Sequence, residues 1–318
     1  MGSPRFGPYV LCGWRVLSDI ALPELPAWSA ALPEEQNLII ELGALSHYGA
    51  AMDFAVTEKE GAILRIPEVA SFHVHAAGDR VTLQIEANAD PLDVRAYLYG
   101  SVLALLCYKR GLFPLHGSSV LLNDAAIILS GPSGFGKSTL AAALARRGHP
   151  LLCDDVCAID MKTSGQPLLR PAFPRVKLLP DVIAKVQLEA AVTYTLAELG
   201  TKGHFGMASF PSAAVVSHAV PVAAIYALDL PAGDAVERTL LTGKAAFVFL
   251  DSQTHRGGMG RELGLHVQLF RHIVALASSV PVYRLQRPSA LERLDEVVDL
   301  LEVASHDRAA TQAAGGTV

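Results

Sequence analysis

The run of glycines that ends in lysine and serine carries the clearest chemical signal in this sequence. It reads Gly131-Pro132-Ser133-Gly134-Phe135-Gly136-Lys137-Ser138 and fits the pattern G-x-x-x-x-G-K-[ST]. Glycines let successive backbone N–H groups point inward around an anion, and a helix amino terminus adds partial positive charge. Lysine reaches the outer phosphates of a nucleotide, and the serine hydroxyl binds Mg²⁺. We therefore expect ATP and Mg²⁺ to bind along the segment from Gly131 to Thr139, with Lys137 acting on the phosphates.

The segments on either side of this glycine run support a phosphate-binding loop. Residues Ala125–Leu129 are continuously apolar and predict a buried strand, while Thr139–Arg147 predicts a helix that Gly148 terminates. Strand, loop and helix thus follow one another in the order that this motif requires. A glycine-rich turn with a purely structural role is the alternative.

Two adjacent carboxylates follow the predicted helix. Residues Pro150–Cys153 predict a strand that leads into Asp154 and Asp155. A strand after a short crossover helix normally runs parallel to the first, so both carboxylates should face the glycine loop. One could help to hold Mg²⁺, and the other could accept a proton from an attacking hydroxyl. An ordinary acidic loop is the alternative.

A histidine precedes the glycine loop at the expected sheet end. Residues 115–122, which begin Leu115-His116-Gly117, come before a predicted turn at Asn123-Asp124. If they pair with the loop's strand as a hairpin, His116 lies near the nucleotide or its acceptor. Single histidines are more often packed or solvated than catalytic.

These groups must be positioned by a larger α/β unit that follows a β-rich one. Alternating apolar residues in Val81–Ile85 and the Gly78-Asp79 turn predict a hairpin within residues 1–89. Asp90 and Pro91 then predict the start of a helix that reaches about Arg110. Strands alternate with helices from there to about residue 304, and a disordered tail is expected from 305 to 318.

Composition restricts the classes of partner and compartment. The 318 residues are 51% hydrophobic and 18% charged, with a formal net charge of −5. This acidic balance argues against a nucleic-acid partner, and the longest apolar runs are too short to span a membrane. Four scattered cysteines do not form a disulfide framework, and the first residues do not resemble a signal peptide. A cytoplasmic protein is expected.

Three pieces of the sequence together resemble a known family. Leu115-His116-Gly117, Gly131 to Ser138 and Cys153-Asp154-Asp155-Val156, in this order and spacing, resemble the catalytic domain of HPr kinase/phosphorylase. They are more similar still to the HPr kinase-like proteins that act on precursors of ribosomally made peptides, notably the lasso-peptide precursor kinases. The resemblance implies a P-loop kinase core of the type shared with phosphoenolpyruvate carboxykinase, over residues 90–304, preceded by the small β-rich module.

The resemblance also implies roles for individual residues and for partners. Asp154 takes the part of the catalytic base, Asp155 that of the carboxylate on the metal side together with Ser138, and His116 joins the site. The product is a phosphoserine on a peptide or small protein, and assembly into homo-oligomers is expected. The glycine signature that follows the aspartates in HPr kinase/phosphorylase is not visible in residues 169–177, which argues for an acceptor other than HPr.

Basic residues downstream are candidates for contacts with the acceptor or with the transferred phosphoryl group. They are Arg175, Lys177, Lys202, Arg256 and Arg261. The glycine-rich stretch between the last two could equally form a flexible lid. Two other functions stay open: a nucleotide-binding ATPase switch, and a small-molecule kinase on the same fold.

Overall fold

The structure is a computed structural model with two main β-sheets and a helical segment between them. It describes residues 5–29, 37–45, 53–57, 61–161, 165–172, 175–178, 180–185, 194–195, 203–205, 216–230, 233–288 and 290–315. The chain therefore has the mixed α/β architecture that its sequence predicts. No helix in the described ranges is both long enough and apolar enough to cross a membrane.

The amino-terminal sheet contains seven strands in the described residues. They are β1 (Phe6–Leu11), β2 (Trp14–Ser18), β3 (Asn37–Leu42), β4 (Phe54–Thr57), β5 (Gly61–Ile66), β6 (Ala70–His75) and β7 (Arg80–Ile85). Their order in the sheet is β1-β2-β3-β7-β6-β5-β4. The predicted hairpin is confirmed as β6 and β7, which pair antiparallel around Gly78 with its positive φ of 67°.

The helical segment that follows begins as predicted but is not one continuous helix. Helix α1 (Pro91–Tyr97) starts after Asp90, whose carboxylate accepts a 2.8 Å hydrogen bond from the Leu92 N–H. A π-helical turn at Leu98–Val102 then interrupts the α-helical geometry, and α2 (Leu103–Lys109) continues to the predicted end. Such turns are rare and are frequent at functional sites.

The remaining elements build the larger sheet and its helices. In chain order they are β8 (Phe113–Leu122), β9 (Ala125–Ser130), α3 (Lys137–Arg146), β10 (Leu151–Cys153), β11 (Val156–Asp160), β12 (Leu168–Arg170), β13 (Val176–Leu178), α4 (Pro180–Lys185), β14 (Tyr194–Thr195), β15 (Gly203–Phe205), β16 (Val220–Leu228), β17 (Glu237–Leu241), α5 (Gly243–Ser252), α6 (Gly257–Glu262), α7 (His266–Ser279), β18 (Val282–Gln286) and α8 (Leu294–Gly315). Strands β13, β14 and β15 form a small separate sheet.

Strand β8 changes partner in its middle. Its first half, Phe113–His116, pairs with β11, and its second half, Gly117–Leu122, pairs with β9. The β8–β9 connection is the predicted hairpin, and Asn123 and Asp124 both have positive φ, 49° and 60°, as a two-residue turn of type I′ requires. The change of partner leaves His116 at the point where the two pairings separate.

Three elements differ from the sequence expectation. Strand β10 has the direction of β9, but its neighbour is β8, with which it pairs antiparallel. The stretch considered as a loop or lid between Arg256 and Arg261 is instead helix α6. The described chain after Ser305 continues as helix α8 to Gly315, where a disordered tail was expected. This terminal segment is rich in alanine, the strongest helix former.

Alternate residues of β9 belong to two separate hydrophobic clusters. Ile127 and Leu129 pack in the cluster that contains Leu144 of α3 and residues of α8. Ile128 faces the opposite side, in the cluster that extends to Phe72 of the amino-terminal sheet. The strand that leads into the glycine loop is therefore buried on both faces, which fixes the position of that loop.

Candidate active site

The glycine loop joins β9 to α3, and positive φ values shape it. Gly131, Gly134 and Gly136 have φ of 154°, 86° and 83°. A Cβ atom on Gly131 would lie 2.6 Å from the Leu228 carbonyl oxygen, so this position has no room for a side chain. Lys137 is the first residue of α3 and is buried, and its Nζ donates to the Gly131 carbonyl at 2.8 Å. The loop is thus a cradle of backbone amides with one buried ammonium group.

The two aspartates form the turn between β10 and β11, opposite the centre of β8. Cys153 pairs with Ser119, and Val156 pairs with His116. The turn 154–155 therefore lies against the residues at which β8 changes partner. This topology, rather than the helix crossover alone, brings both carboxylates next to the glycine loop.

Asp154 is buried and interacts with serine hydroxyl groups. Ser138 Oγ lies 3.0 Å from Asp154 Oδ1 and 3.2 Å from Oδ2. The Ser118 hydroxyl donates to the same Oδ1 atom. The carboxylate therefore lies against the first turn of α3, beside the serine of the glycine motif. Ser118 was not singled out by the sequence analysis, although it stands two residues after His116.

Asp155 has a different environment from its neighbour. It has a positive φ of 75°, and its side chain is 42% exposed. His116 Nδ1 lies 3.1 Å from both the Asp155 carboxylate and the Asp155 carbonyl oxygen. Because both partners are acceptors, Nδ1 carries a proton. The opposite carboxylate oxygen faces the π-helical turn, where a Cβ on Gly100 would lie 3.7 Å from it.

A second histidine lies beside this pair and was missed by the sequence analysis. Residues 253–255 run next to the start of β8, where the His116 N–H donates to the Gln253 carbonyl at 2.8 Å. The His255 N–H donates to the Pro114 carbonyl at 2.9 Å, and the Tyr108 hydroxyl donates to the His255 carbonyl at 2.7 Å. Only this long-range pairing brings His255 to the site, so no local pattern marks it.

The His255 ring stacks on the ring of His116. Their centroids are 5.4 Å apart and the planes differ by 25°. Burial lowers the pKa of His255 to about 4, while the nearby Asp155 carboxylate acts in the opposite direction. The His255 Nε2 atom is buried and has no hydrogen-bond partner among the described residues. The imidazole is therefore neutral near pH 7.

Arg175 is the predicted basic residue that interacts electrostatically with Asp154. Its side chain is buried, and burial lowers its pKa to about 10, against the effect of Glu24, Tyr99 and Asp154. Glu24 belongs to the amino-terminal module and accepts 2.9 Å and 3.2 Å hydrogen bonds from Arg95 and Tyr99. Glu24 and Asp154 therefore both act electrostatically on the buried Arg175.

For the other predicted basic residues, the structure shows no hydrogen bond or ion pair with the two aspartates among the described side chains. Arg256 is exposed at the start of α6, two residues from the Thr254 backbone that pairs with β8, and Arg261 forms a 2.8 Å ion pair with Asp251. Lys177 lies in β13, where only the backbone is described, and Lys202 lies outside the described residues.

A further arginine contacts the glycine loop from the far end of the chain. The Arg287 guanidinium donates to the Phe135 carbonyl oxygen. It also lies beside Gly136, where an added Cβ would come within 3.1 Å of one of its nitrogens. Burial lowers the pKa of Arg287. The residue that follows strand β18 thus supplies a cation that the sequence analysis did not identify.

Comparisons with known proteins identify relatives over a small part of the chain. No protein-family model matches it. HPr kinase/phosphorylase of Pelodictyon phaeoclathratiforme is 47% identical over 47 residues, 15% of this chain and 14% of that protein. HPr kinase/phosphorylase of Alkaliphilus metalliredigens is 36% identical over 62 residues, 20% of this chain and 19% of that protein. The chain therefore matches only a minor part of these relatives' length.

A solved structure adds a weak similarity. The Hpr(Ser) kinase/phosphatase from Coxiella burnetii aligns with 63% of this chain and 98% of its own, at 14% identity and a TM-score of 0.31. This score is too low to establish a common overall fold. What the comparisons establish is that a short segment of this chain is similar in sequence to HPr kinase/phosphorylases.

Proposed function

We propose that this protein is an ATP-dependent kinase that transfers the γ-phosphoryl group to a serine hydroxyl of a peptide or small protein. The observation that carries the proposal is that two consecutive carboxylates contact different partners. Asp154 contacts Ser138 of the glycine loop, and Asp155 contacts His116. Asp154 thus lies beside the glycine loop, where we propose that the nucleotide binds, and Asp155 lies beside the His116 imidazole. The short sequence similarity to HPr kinase/phosphorylases supports the same chemistry.

The nucleotide end of the site fits MgATP. Positive φ at Gly134 and Gly136 turns the loop around an anion, and an added Cβ on Gly134 would meet open space. The Ser138 hydroxyl and the Asp154 carboxylate are the hard oxygen donors that Mg²⁺ prefers. Mg²⁺, when bound, neutralises negative charge on the phosphates. Lys137 has its ammonium group at the mouth of the loop and is expected to turn from carbonyl oxygens to phosphate oxygens.

The acceptor end is built from Asp155 and His116. The Nδ1 proton of His116 orients the Asp155 carboxylate, which is partly exposed and is proposed to accept a proton from a bound serine. As the serine oxygen forms its bond to the γ-phosphorus, the bond from phosphorus to the oxygen of ADP breaks. The serine proton passes to Asp155. This proposal exchanges the roles that the family resemblance implies, because Asp154 is the residue that contacts Ser138.

We propose that the acceptor is a ribosomally made precursor peptide of the kind that lasso-peptide kinases modify. The support is the resemblance of the three motif segments at residues 115–117, 131–138 and 153–156. Lys177, Lys202, Arg256 and Arg261 are proposed to bind this acceptor, and Arg175 to neutralise charge near Asp154.

The test is phosphoryl transfer from γ-labelled ATP to a precursor peptide that ends in serine. The control peptide has alanine at that position. Label in the serine peptide, and none in the alanine peptide, is the expected result. Release of label only as free phosphate would favour the ATPase switch, and labelling of small hydroxyl compounds would favour a small-molecule kinase.

A further inference from the structure

Three side chains from distant parts of the sequence converge at the acceptor side of the site. His116 comes from β8, Asp155 from the turn before β11, and His255 from the segment before α6. Each offers one ligand atom, and the three atoms lie within 4.8 Å of one another. Among the described residues, a group of three or more His, Cys, Asp or Glu side chains with ligand atoms this close together occurs here.

The backbone holds these three residues in place without any ion. His116 and His255 are tied together by the hydrogen bonds that residues 114 and 116 exchange with residues 255 and 253. The Asp155 backbone is held by its positive φ conformation and by the hydrogen bond from the Gly117 N–H to its carbonyl oxygen. A site with restrained ligands loses little entropy when an ion binds.

A second observation, independent of the spacing of the three side chains, also indicates that His255 binds a ligand. Its ring belongs to this cluster, and its Nε2 is buried and has no hydrogen-bond partner among the described residues. A buried polar atom without a partner is unfavourable, and a bound ion would remove that penalty.

We propose that His116, Asp155 and His255 form a binding site for a transition-metal ion of the Zn²⁺ type. Imidazole nitrogens suit Zn²⁺ and similar ions, whereas Mg²⁺ prefers oxygen ligands throughout. The neighbouring Asp154 carboxylate contacts the hydroxyl oxygens of Ser118 and Ser138. Asp154 thus lies among oxygen donors, which suit Mg²⁺, whereas Asp155 lies with two imidazole nitrogens, which suit ions of the Zn²⁺ type.

The spacing fits a site with one open position. Zn²⁺ bonds of about 2.0–2.2 Å place tetrahedral ligand atoms about 3.5 Å apart. The three ligand atoms lie within 4.8 Å of one another, so they would move closer together when an ion binds, and the Asp155 side chain is 42% exposed. Three protein ligands leave the fourth position to water or to an acceptor group.

A regulatory consequence follows, and it rests on the proposed function. Asp155 is the proposed proton acceptor, and an ion bound to its carboxylate occupies the electron pairs that would take the serine proton. The ion would therefore inhibit phosphoryl transfer, and a chelator would restore it.

The binding test uses Co²⁺ and Zn²⁺ with the full chain, without nucleotide, after chelator treatment and removal of any affinity tag. We expect one Co²⁺ per chain, displaced by Zn²⁺, with visible absorption bands but without the intense near-ultraviolet band of thiolate ligands. That last feature excludes the buried pair Cys153 and Cys157, whose sulfur atoms are 3.4 Å apart. Absence of stoichiometric binding, or a thiolate band, would overturn the proposal.

Variants locate the ion. His255→Gln and Asp155→Asn should each weaken Co²⁺ binding at least about tenfold, since even changes behind a ligand have effects of that size. His149→Gln is the matched control, because His149 bonds to Glu302 instead. Unfolding midpoints of the chelator-treated variants show whether each is folded. A folded His255→Gln protein that binds Co²⁺ as tightly as the unchanged chain contradicts the site.

Activity separates this proposal from the kinase proposal. If the unchanged chain binds one Co²⁺ but transfers no phosphoryl group in chelator-treated Mg²⁺ buffer, the metal site stands and the kinase function fails. If transfer occurs and Zn²⁺ does not inhibit it at saturating occupancy, the regulatory consequence is wrong.

Discussion

The carboxylates of Asp154 and Asp155 are adjacent in sequence but have different partners. Asp154 lies 3.0 Å from the Ser138 hydroxyl, and Asp155 lies 3.1 Å from His116 Nδ1. The positive φ of 75° at Asp155 turns the chain sharply between them. One short turn therefore supplies carboxylates to both the proposed nucleotide side and the proposed acceptor side of the site, and the two can be tested separately.

Asp155→Asn should lower kcat for phosphoryl transfer by about 10²- to 10⁴-fold, the usual contribution of a proton acceptor, with little change in nucleotide affinity. Asp154→Asn should instead raise the Mg²⁺ concentration needed for ATP binding, because it removes the charge beside Ser138. Steady-state kinetics and titration with a fluorescent ATP analogue measure the two effects. The same defect in both variants would show that the carboxylates act together rather than separately.

Lys137→Ala should abolish detectable ATP binding, since Lys137 is the only charged side chain within the glycine motif itself. The buried ammonium group bonds to carbonyl oxygens of the loop, so the variant also requires a check of its unfolding midpoint. Lys244→Ala, at an exposed position on α5, is the control. Full ATP binding by a folded Lys137→Ala protein would place the nucleotide elsewhere.

Ser118→Ala should reduce activity through the position of Asp154. Ser118 donates to Asp154, whereas the equally buried Ser119 donates to the Ile127 carbonyl at 2.8 Å. Each alanine variant should lose about 1–3 kcal/mol of unfolding free energy from one buried hydrogen bond. Only Ser118→Ala should also shift the Mg²⁺ dependence of ATP binding. Equal Mg²⁺ profiles for the two variants would assign Ser118 a purely structural role.

Local signals in the sequence were sufficient for the nucleotide side of the site. The strand, glycine loop and helix around Lys137 follow from short-range patterns, as does the hairpin turn at Asn123 and Asp124. These features depend on backbone conformations that glycine, asparagine and aspartate favour. The start of α1 after Asp90 is predictable for the same reason, because its cap is a contact between near neighbours.

The acceptor side depends on long-range contacts that no local pattern encodes. His255 reaches His116 only because residues 253–255 pair with the start of β8, and Arg287 reaches the glycine loop from the end of β18. The different partners of the two aspartates depend on the positive φ of Asp155, an uncommon conformation for a residue other than glycine. Sequence proximity alone could not assign them.

Gly131→Ala should be much more destabilising than Gly134→Ala. At Gly131 the new Cβ would lie 2.6 Å from the Leu228 carbonyl oxygen, which belongs to the fixed backbone of β16. At Gly134 the Cβ meets nothing within 4 Å, so only the backbone strain of a positive φ remains. We expect losses of about 2–4 kcal/mol and about 1–2 kcal/mol, respectively. Denaturant unfolding measures both, and equal losses would contradict the close approach of β16 to the loop.

Glu24→Gln tests whether the amino-terminal module supports the site. Glu24 and Arg95 are both largely buried, with side chains 10% and 13% exposed, so loss of the charge should reduce stability by about 2–4 kcal/mol. Glu41→Gln is the matched control, because its partner Arg80 is 38% exposed and surface pairs contribute less than about 1 kcal/mol.

The same Glu24→Gln variant should change the behaviour of Asp154. The charges of Glu24 and Asp154 both act on the buried Arg175, so without the Glu24 charge we expect the guanidinium to shift toward Asp154. A more strongly held Asp154 is less available to Mg²⁺, and the Mg²⁺ concentration for half-maximal ATP binding should rise. Glu41→Gln should leave that concentration unchanged. A stable Glu24→Gln protein with the unchanged chain's Mg²⁺ profile would separate the amino-terminal module from the chemistry of the site.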